Sequence, residues 1–91
     1  MKQPPHVPRP QVIRLPAVLH DYGYGRSTVF KLVSAQLWPR PIKLTARSCG
    51  WIVRECDAVL AARIRGADDD AIRKLVLQLE VERMNAGVAA A

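Results

Sequence analysis

Between Leu15 and Pro41 the chain carries two short helical patterns with a firm stop after each, and that spacing leaves few folds open. Leu15, Val18 and Leu19 recur at i, i+3 and i+4 around Pro16, a residue suited to a first helical turn, until Tyr22-Gly23-Tyr24-Gly25 breaks the run. From Gly25 or Arg26 to about Ala35, the apolar Val29, Leu32 and Val33 share one face, while Ser27, Lys31 and Ser34 share the opposite one. Pro39 and Pro41 end any helix, because each lacks an amide hydrogen and biases the preceding residue toward extended geometry.

A hairpin and two further helices follow. Ile42-Lys43-Leu44 alternates apolar with basic, and Gly50-Trp51-Ile52-Val53 is rich in strand formers, so Thr45 to Cys49 reads as a small polar loop with a basic tip at Arg47. Cys56, Val59, Leu60 and Ile64 then return to helical spacing, and Gly66 stands where a helix ends. Asp68-Asp69-Asp70 places carboxylates at the start of a fourth helix, where free amides and the helix dipole favour negative charge. That helix is expected to run to about Met84, ahead of a low-complexity tail. Its Ile72, Leu75, Val76 and Leu79 stripe is expected to fold back on residues 12–65, leaving Leu77, Val81 and Met84 to another protomer or to solvent. Val29, Leu32, Val33, Leu37, Ile42, Leu44, Trp51, Val59 and Leu60 are the expected core. Trp38 either packs under the hairpin or lies against a sugar-phosphate edge.

At 91 residues the chain has room for one small core and none for a large catalytic domain. Its 49% hydrophobic and 24% charged residues fit a globular protein. Lys and Arg outnumber Asp and Glu by 14 to 8, a formal charge of +6 that favours a polyanionic partner, nucleic acid first. The excess is uneven: residues 1–65 hold 11 basic and 3 acidic side chains, residues 66–91 hold 3 and 5. Residues 1–11 contain four of the seven prolines together with Lys2 and Arg9, the composition of a flexible basic arm that contacts DNA or merely solubilises the chain. The division expected is therefore an arm over 1–11, a folded unit over 12–65, a C-terminal helix for packing or oligomerisation over 66–85, and a flexible tail over 86–91.

Cys49 and Cys56 fit neither a disulfide framework nor a common zinc spacing, and His6 and His20 have no companions, so no metal or cofactor is expected. No secretory h-region or membrane-length apolar run occurs, which points to a cytoplasmic protein without membrane attachment. Tyr22 and Tyr24 read as turn and packing residues: the arginine and histidine partners that a tyrosine nucleophile needs do not fit in this length. A non-enzymatic protein is expected.

Two helices joined by a glycine turn and followed by a basic hairpin form a winged helix-turn-helix, here mainly α with a small hairpin wing and an additional C-terminal helix. In that arrangement the second helix enters the major groove, about 12 Å wide, and presents the face not used for packing. Arg26 and Lys31 are then placed for guanine acceptors, Ser27 and Thr28 for a base or phosphate, and Phe30 for a thymine methyl group. Arg40, Lys43, Thr45, Arg47 and Ser48, on the wing and its flank, are placed for the backbone.

The stretch IRLPAVLHDYGYGRSTVFKLV, then WPRPIKL, then GWIVRECDAVLAARI, resembles the AlpA family of short phage and prophage regulators, relatives of excisionase and MerR-type winged helices, across residues 13–65. The resemblance places Arg26, Ser27, Thr28 and Lys31 in a recognition helix, with Phe30 at a usual tyrosine place and Trp51 as the aromatic after the wing. It departs from the family pattern where Gly25 replaces a capping Ser, Arg54 a Ser or Thr, and Val59 a Trp. The resemblance implies double-stranded DNA as partner and one of two roles on a mobile element. One is an excisionase, or recombination directionality factor, serving a tyrosine integrase and self-associating along DNA. The other is a transcription regulator. A protein-interaction module docking an integrase or repressor is the reading from another class, and Leu77, Val81 and Met84 are the candidate oligomer contacts.

Overall fold

The computed structural model describes residues 11–90, with side chains through residue 85; the arm over residues 1–10, with Lys2, His6 and Arg9, lies outside the described residues, as do the side chains of the tail. The chain forms β1 (Val12–Ile13), α1 (Leu15–Tyr22), α2 (Arg26–Ser34), β2 (Ile42–Thr45), β3 (Ser48–Ile52), α3 (Val53–Ile64) and α4 (Asp69–Ala90). This is the expected winged helix-turn-helix, mostly helical, with a small antiparallel sheet and a C-terminal helix.

The helix ends follow the punctuation. Pro16 sits in the first turn of α1. Beyond α3, Gly66 takes φ 90°. Its N–H donates to the Arg63 carbonyl at 2.9 Å, and the Ala67 N–H reaches Ala62 at 3.0 Å, which is the Schellman pattern. α2 closes with the same pair of bonds, Gln36 to Val33 at 3.1 Å and Leu37 to Leu32 at 2.8 Å. There the left-handed position holds Gln36, φ 63°, instead of glycine. Asp68 caps α4, its Oδ1 accepting the Ala71 N–H at 2.9 Å.

The sheet differs from expectation in three ways. Its order is β1-β3-β2, with Val12 opposite Ile52 and Ile13 opposite Trp51, so a third strand precedes α1. The hairpin loop is only Ala46-Arg47, because Thr45 pairs with Ser48 and their hydroxyls lie 2.7 Å apart, closing the turn from within. Val53, expected in the strand, begins α3. Gly50 is where β1 crosses closest: a Cβ there lies 2.5 Å from Val12 Cγ1 and 3.0 Å from the Ile13 carbonyl oxygen. Gly50→Ala is therefore expected to push β1 off the sheet and cost about 1–3 kcal/mol, read as a lower denaturant midpoint.

Val18, Val29, Trp38, Trp51, Cys56 and Val59 make the core, and Ile72, Val76 and Leu79 of α4 complete it against α3. The expected fold-back of that stripe is thus observed, each large side chain adding about 1.5–3 kcal/mol by burial. Trp38 is wholly buried, with Tyr22 and Tyr24 edge-on at 5.3 and 5.4 Å, which answers the question of packing against sugar-phosphate contact. Two residues assigned to apolar faces are not covered. Leu44 is 44% exposed, on the sheet face opposite Trp51, and Ile64 is 77% exposed where α3 ends. Leu77, Val81 and Met84 are exposed, as expected. α4 continues past Met84, where the apolar pattern stops, to Ala90.

One buried charge stands in this core. Glu55 is 1% exposed, and Arg83 of α4 grips it with Nε at 3.0 and 2.8 Å from its two oxygens and a terminal nitrogen at 2.6 Å. These bonds push the Arg83 pKa above its ordinary value.

Beside it, burial and then the Glu55 and Asp57 charges push the Cys56 thiol up to about 12 from an ordinary 9.0. Burial and the 2.7 Å hydrogen bond donated to Asp57 raise Tyr22 as well. A raised folded pKa contributes stability that is complete below the unfolded value and falls as pH climbs through the folded one. Denaturant midpoints are therefore expected to drop between about pH 9 and 12. Cys56→Ala is expected to flatten the onset of that drop; an unchanged profile removes the thiol as its cause.

Candidate nucleic-acid interface

α2 presents its outward side whole. Arg26, Ser27, Phe30, Lys31 and Ser34 line one shallow concavity along the helix, with Val29 buried behind them. The inward side is fixed by the core, so the polar side chains have nowhere to turn but outward. Thr28 is exposed but lies on the flank, lining neither this concavity nor the next. Gly25 caps α2 with no side-chain hydrogen bond, which leaves the first amides of the helix open.

A second concavity, about 630 Å³, joins α2 to the hairpin. Arg26 and Phe30 line it from α2, Arg47, Ser48 and Cys49 from the wing, and Arg14 from the N-cap of α1. The floor is Trp51, whose ring centroid is 6.5 Å from that of Phe30. Phe30 thus rests on the sheet with one side and leaves 45% of its surface open. The structure therefore sets α2 and the tip of the wing around a single space.

The remaining wing candidates stand apart from it. Lys43 is exposed and pairs in register with Cys49, which puts the two side chains on one face of the hairpin. Thr45 is tied into the turn, its hydroxyl meeting Ser48 and accepting the Arg47 N–H at 3.3 Å. Arg40 is exposed, and its carbonyl accepts a 2.6 Å hydrogen bond from Arg83. Arg14 was not singled out from the sequence. Its signal was slight: a basic residue one place before the Leu-Pro that opens α1.

The charge on this surface is uncompensated. No Asp or Glu occurs between Asp21 and Glu55. Among the described residues, Arg14, Arg26, Lys31, Arg40, Lys43 and Arg47 form no ion pair within 4 Å, whereas Glu55, Asp69 and Asp70 are paired with Arg83, Arg63 and Arg73. Unpaired guanidinium and ammonium groups around a concave face attract phosphates and release their counterions on contact. Among the described residues no His, Cys, Asp and Glu cluster is arranged to hold a metal ion, and no helix is long and apolar enough to cross a membrane.

Residues 11–64 match the family model described as "Prophage CP4-57 regulatory protein (AlpA)". The chain is also 31% identical over 62 residues to the "Uncharacterized protein ORF88" of Enterobacteria phage P4, an alignment covering 68% of this chain and 70% of that one. No solved structure matches it.

Proposed function

Because this chain belongs to the AlpA family of prophage regulatory proteins, we propose that it is a sequence-specific DNA-binding accessory protein of a mobile genetic element, acting as an excisionase with a tyrosine integrase. The observation that carries DNA binding is the shared concavity: Arg26 and Phe30 from α2 meet Arg47 and Ser48 from the wing, with no carboxylate on either element. In this reading α2 lies in the major groove. Arg26 and Lys31 take guanine acceptors, Ser27 and Thr28 a base or phosphate, and Phe30 a thymine methyl group. Arg14, Arg40, Lys43 and Arg47 hold the flanking backbone, and of the mutually bonded Thr45 and Ser48 hydroxyls the one that accepts within the pair is left to donate at the tip. The protein performs no bond-making step itself.

The exposed Leu77, Val81 and Met84 on α4 support the excisionase role, since protomers bound side by side along DNA need an apolar contact. The family description favours a second reading, a transcription regulator of prophage genes.

A mobility-shift titration with fragments flanking the gene, at two salt concentrations, tests DNA binding. Retention that weakens with salt is expected, and Arg14→Ala or Arg47→Ala each lowers the slope of log affinity against log salt by about 0.9. No retained fragment removes both DNA readings and leaves a protein-docking module. An excision assay with the integrase, with and without this protein, separates the roles: unchanged excision with altered promoter output favours regulation.

A further inference from the structure

α4 lies outside the family-matched segment, yet it is bonded to the one stretch of chain that connects the two DNA-facing elements. That stretch, residues 35–41, runs from the end of α2 to the start of β2. Three of its carbonyls are taken by donors from outside it. Arg73 Nε of α4 donates to the Ala35 oxygen at 3.0 Å, Trp51 Nε1 to Pro39 at 2.9 Å, and Arg83 to Arg40 at 2.6 Å. Arg83 is itself anchored on buried Glu55, and Arg73 is 3.4 Å from Asp70. One rigid helix thus grips both ends of the connection, while Trp51 holds its middle.

A linker of this length with free carbonyls allows the helix and the hairpin to rock against each other, and a base contact misplaced by rocking is lost. We propose that α4 sets the angle at which α2 and the β2–β3 hairpin face a duplex, with Arg73 and Arg83 as the positioning residues. The proposal rests on the DNA-binding reading and extends it: neither residue touches DNA, and both act through the 35–41 linker. It gives α4 a task that burial of Ile72, Val76 and Leu79 does not require, since that stripe alone holds the helix on α3.

The test is the charge-matched double variant Arg73→Lys with Arg83→Lys. One ammonium cannot span a carboxylate and a carbonyl as a guanidinium fork does, while net charge and the partner of Glu55 are kept. Residual dipolar couplings are measured for α2 and the hairpin, and affinities for cognate and random DNA well below the melting point. The expected result is couplings that no longer fit one fixed orientation and cognate affinity about tenfold weaker, the worth of one good base contact, with random-sequence affinity and salt slope unchanged. A folded variant with wild-type couplings, or with wild-type cognate affinity, overturns the proposal. Should the double variant not fold, Arg73→Lys alone serves, because its charged partner Asp70 is exposed and the change leaves no buried charge. A wild-type chain that retains no fragment ends the DNA-binding reading instead, and the couplings still decide whether α4 holds the two elements.

Discussion

Arg83→Ala is expected to destabilise the fold by about 3–5 kcal/mol, because it strands the Glu55 carboxylate in the core without a partner. Glu55 is 1% exposed and, among the described residues, all the hydrogen bonds to its carboxylate come from Arg83. For a domain whose whole stability is of the order of 5–15 kcal/mol, such a loss takes the chain near its unfolding threshold. It lowers the melting point by well over about 10 °C. The cost belongs to the orphaned charge rather than to the missing attraction, so Glu55→Met together with Arg83→Leu is expected to recover most of it. Equilibrium denaturation of the two singles and the double checks this. A single-variant loss under about 1 kcal/mol would mean that α4 does not pack on α3 in solution.

Lys31→Glu is expected to lower affinity for a cognate fragment by about a hundredfold or more. The lysine lines the outward concavity of α2, and reversal removes a contact worth roughly 1–3 kcal/mol and sets a carboxylate against the duplex. Lys74→Glu is the matched control: the same change in net charge, on an exposed position of α4, is expected to stay within about threefold. Neither variant alters the core, so their melting points are expected to agree with the parent. Equal losses from the two would assign binding to overall charge and dissolve the recognition-helix assignment.

α1 and α3 were legible because each pairs an apolar period with a glycine stop, Gly23 and Gly66, and the start of α4 because Asp68 caps it; Pro39 and Pro41 bound α2 only from outside, since its actual end is set by the left-handed Gln36. The outward set on α2 was legible because a face left over from packing is known once the packed face is known. Periodicity does not say whether a face is covered: Leu44, expected in the core, is 44% exposed, and Ile64, which only shares the helical spacing of Cys56 and Val59, is 77% exposed. β1 has two residues, too few for any alternation to register. The hairpin loop was drawn too long because its closure depends on a hydroxyl pair, Thr45 with Ser48, that composition reads as loop chemistry.

The Glu55–Arg83 pair was not foreseen, although the position of Glu55 carried a signal. Glu55 lies four residues before Val59 and so on the buried side of α3, where a carboxylate demands a cation. Which of the 14 basic residues answers it is a matter of how α4 docks, and no local pattern contains that.

β2 is the terminal strand of the sheet, and Lys43 stands on it beside half-exposed Leu44. An unpaired strand edge is a template on which another chain can lay its own backbone, and a lysine there keeps such guests away. The residue proposed for phosphate contact thus also guards against fibre-like stacking. Replacing it with valine or isoleucine would create a sticky ribbon, so solubility at high concentration, and not affinity alone, is at stake at this position.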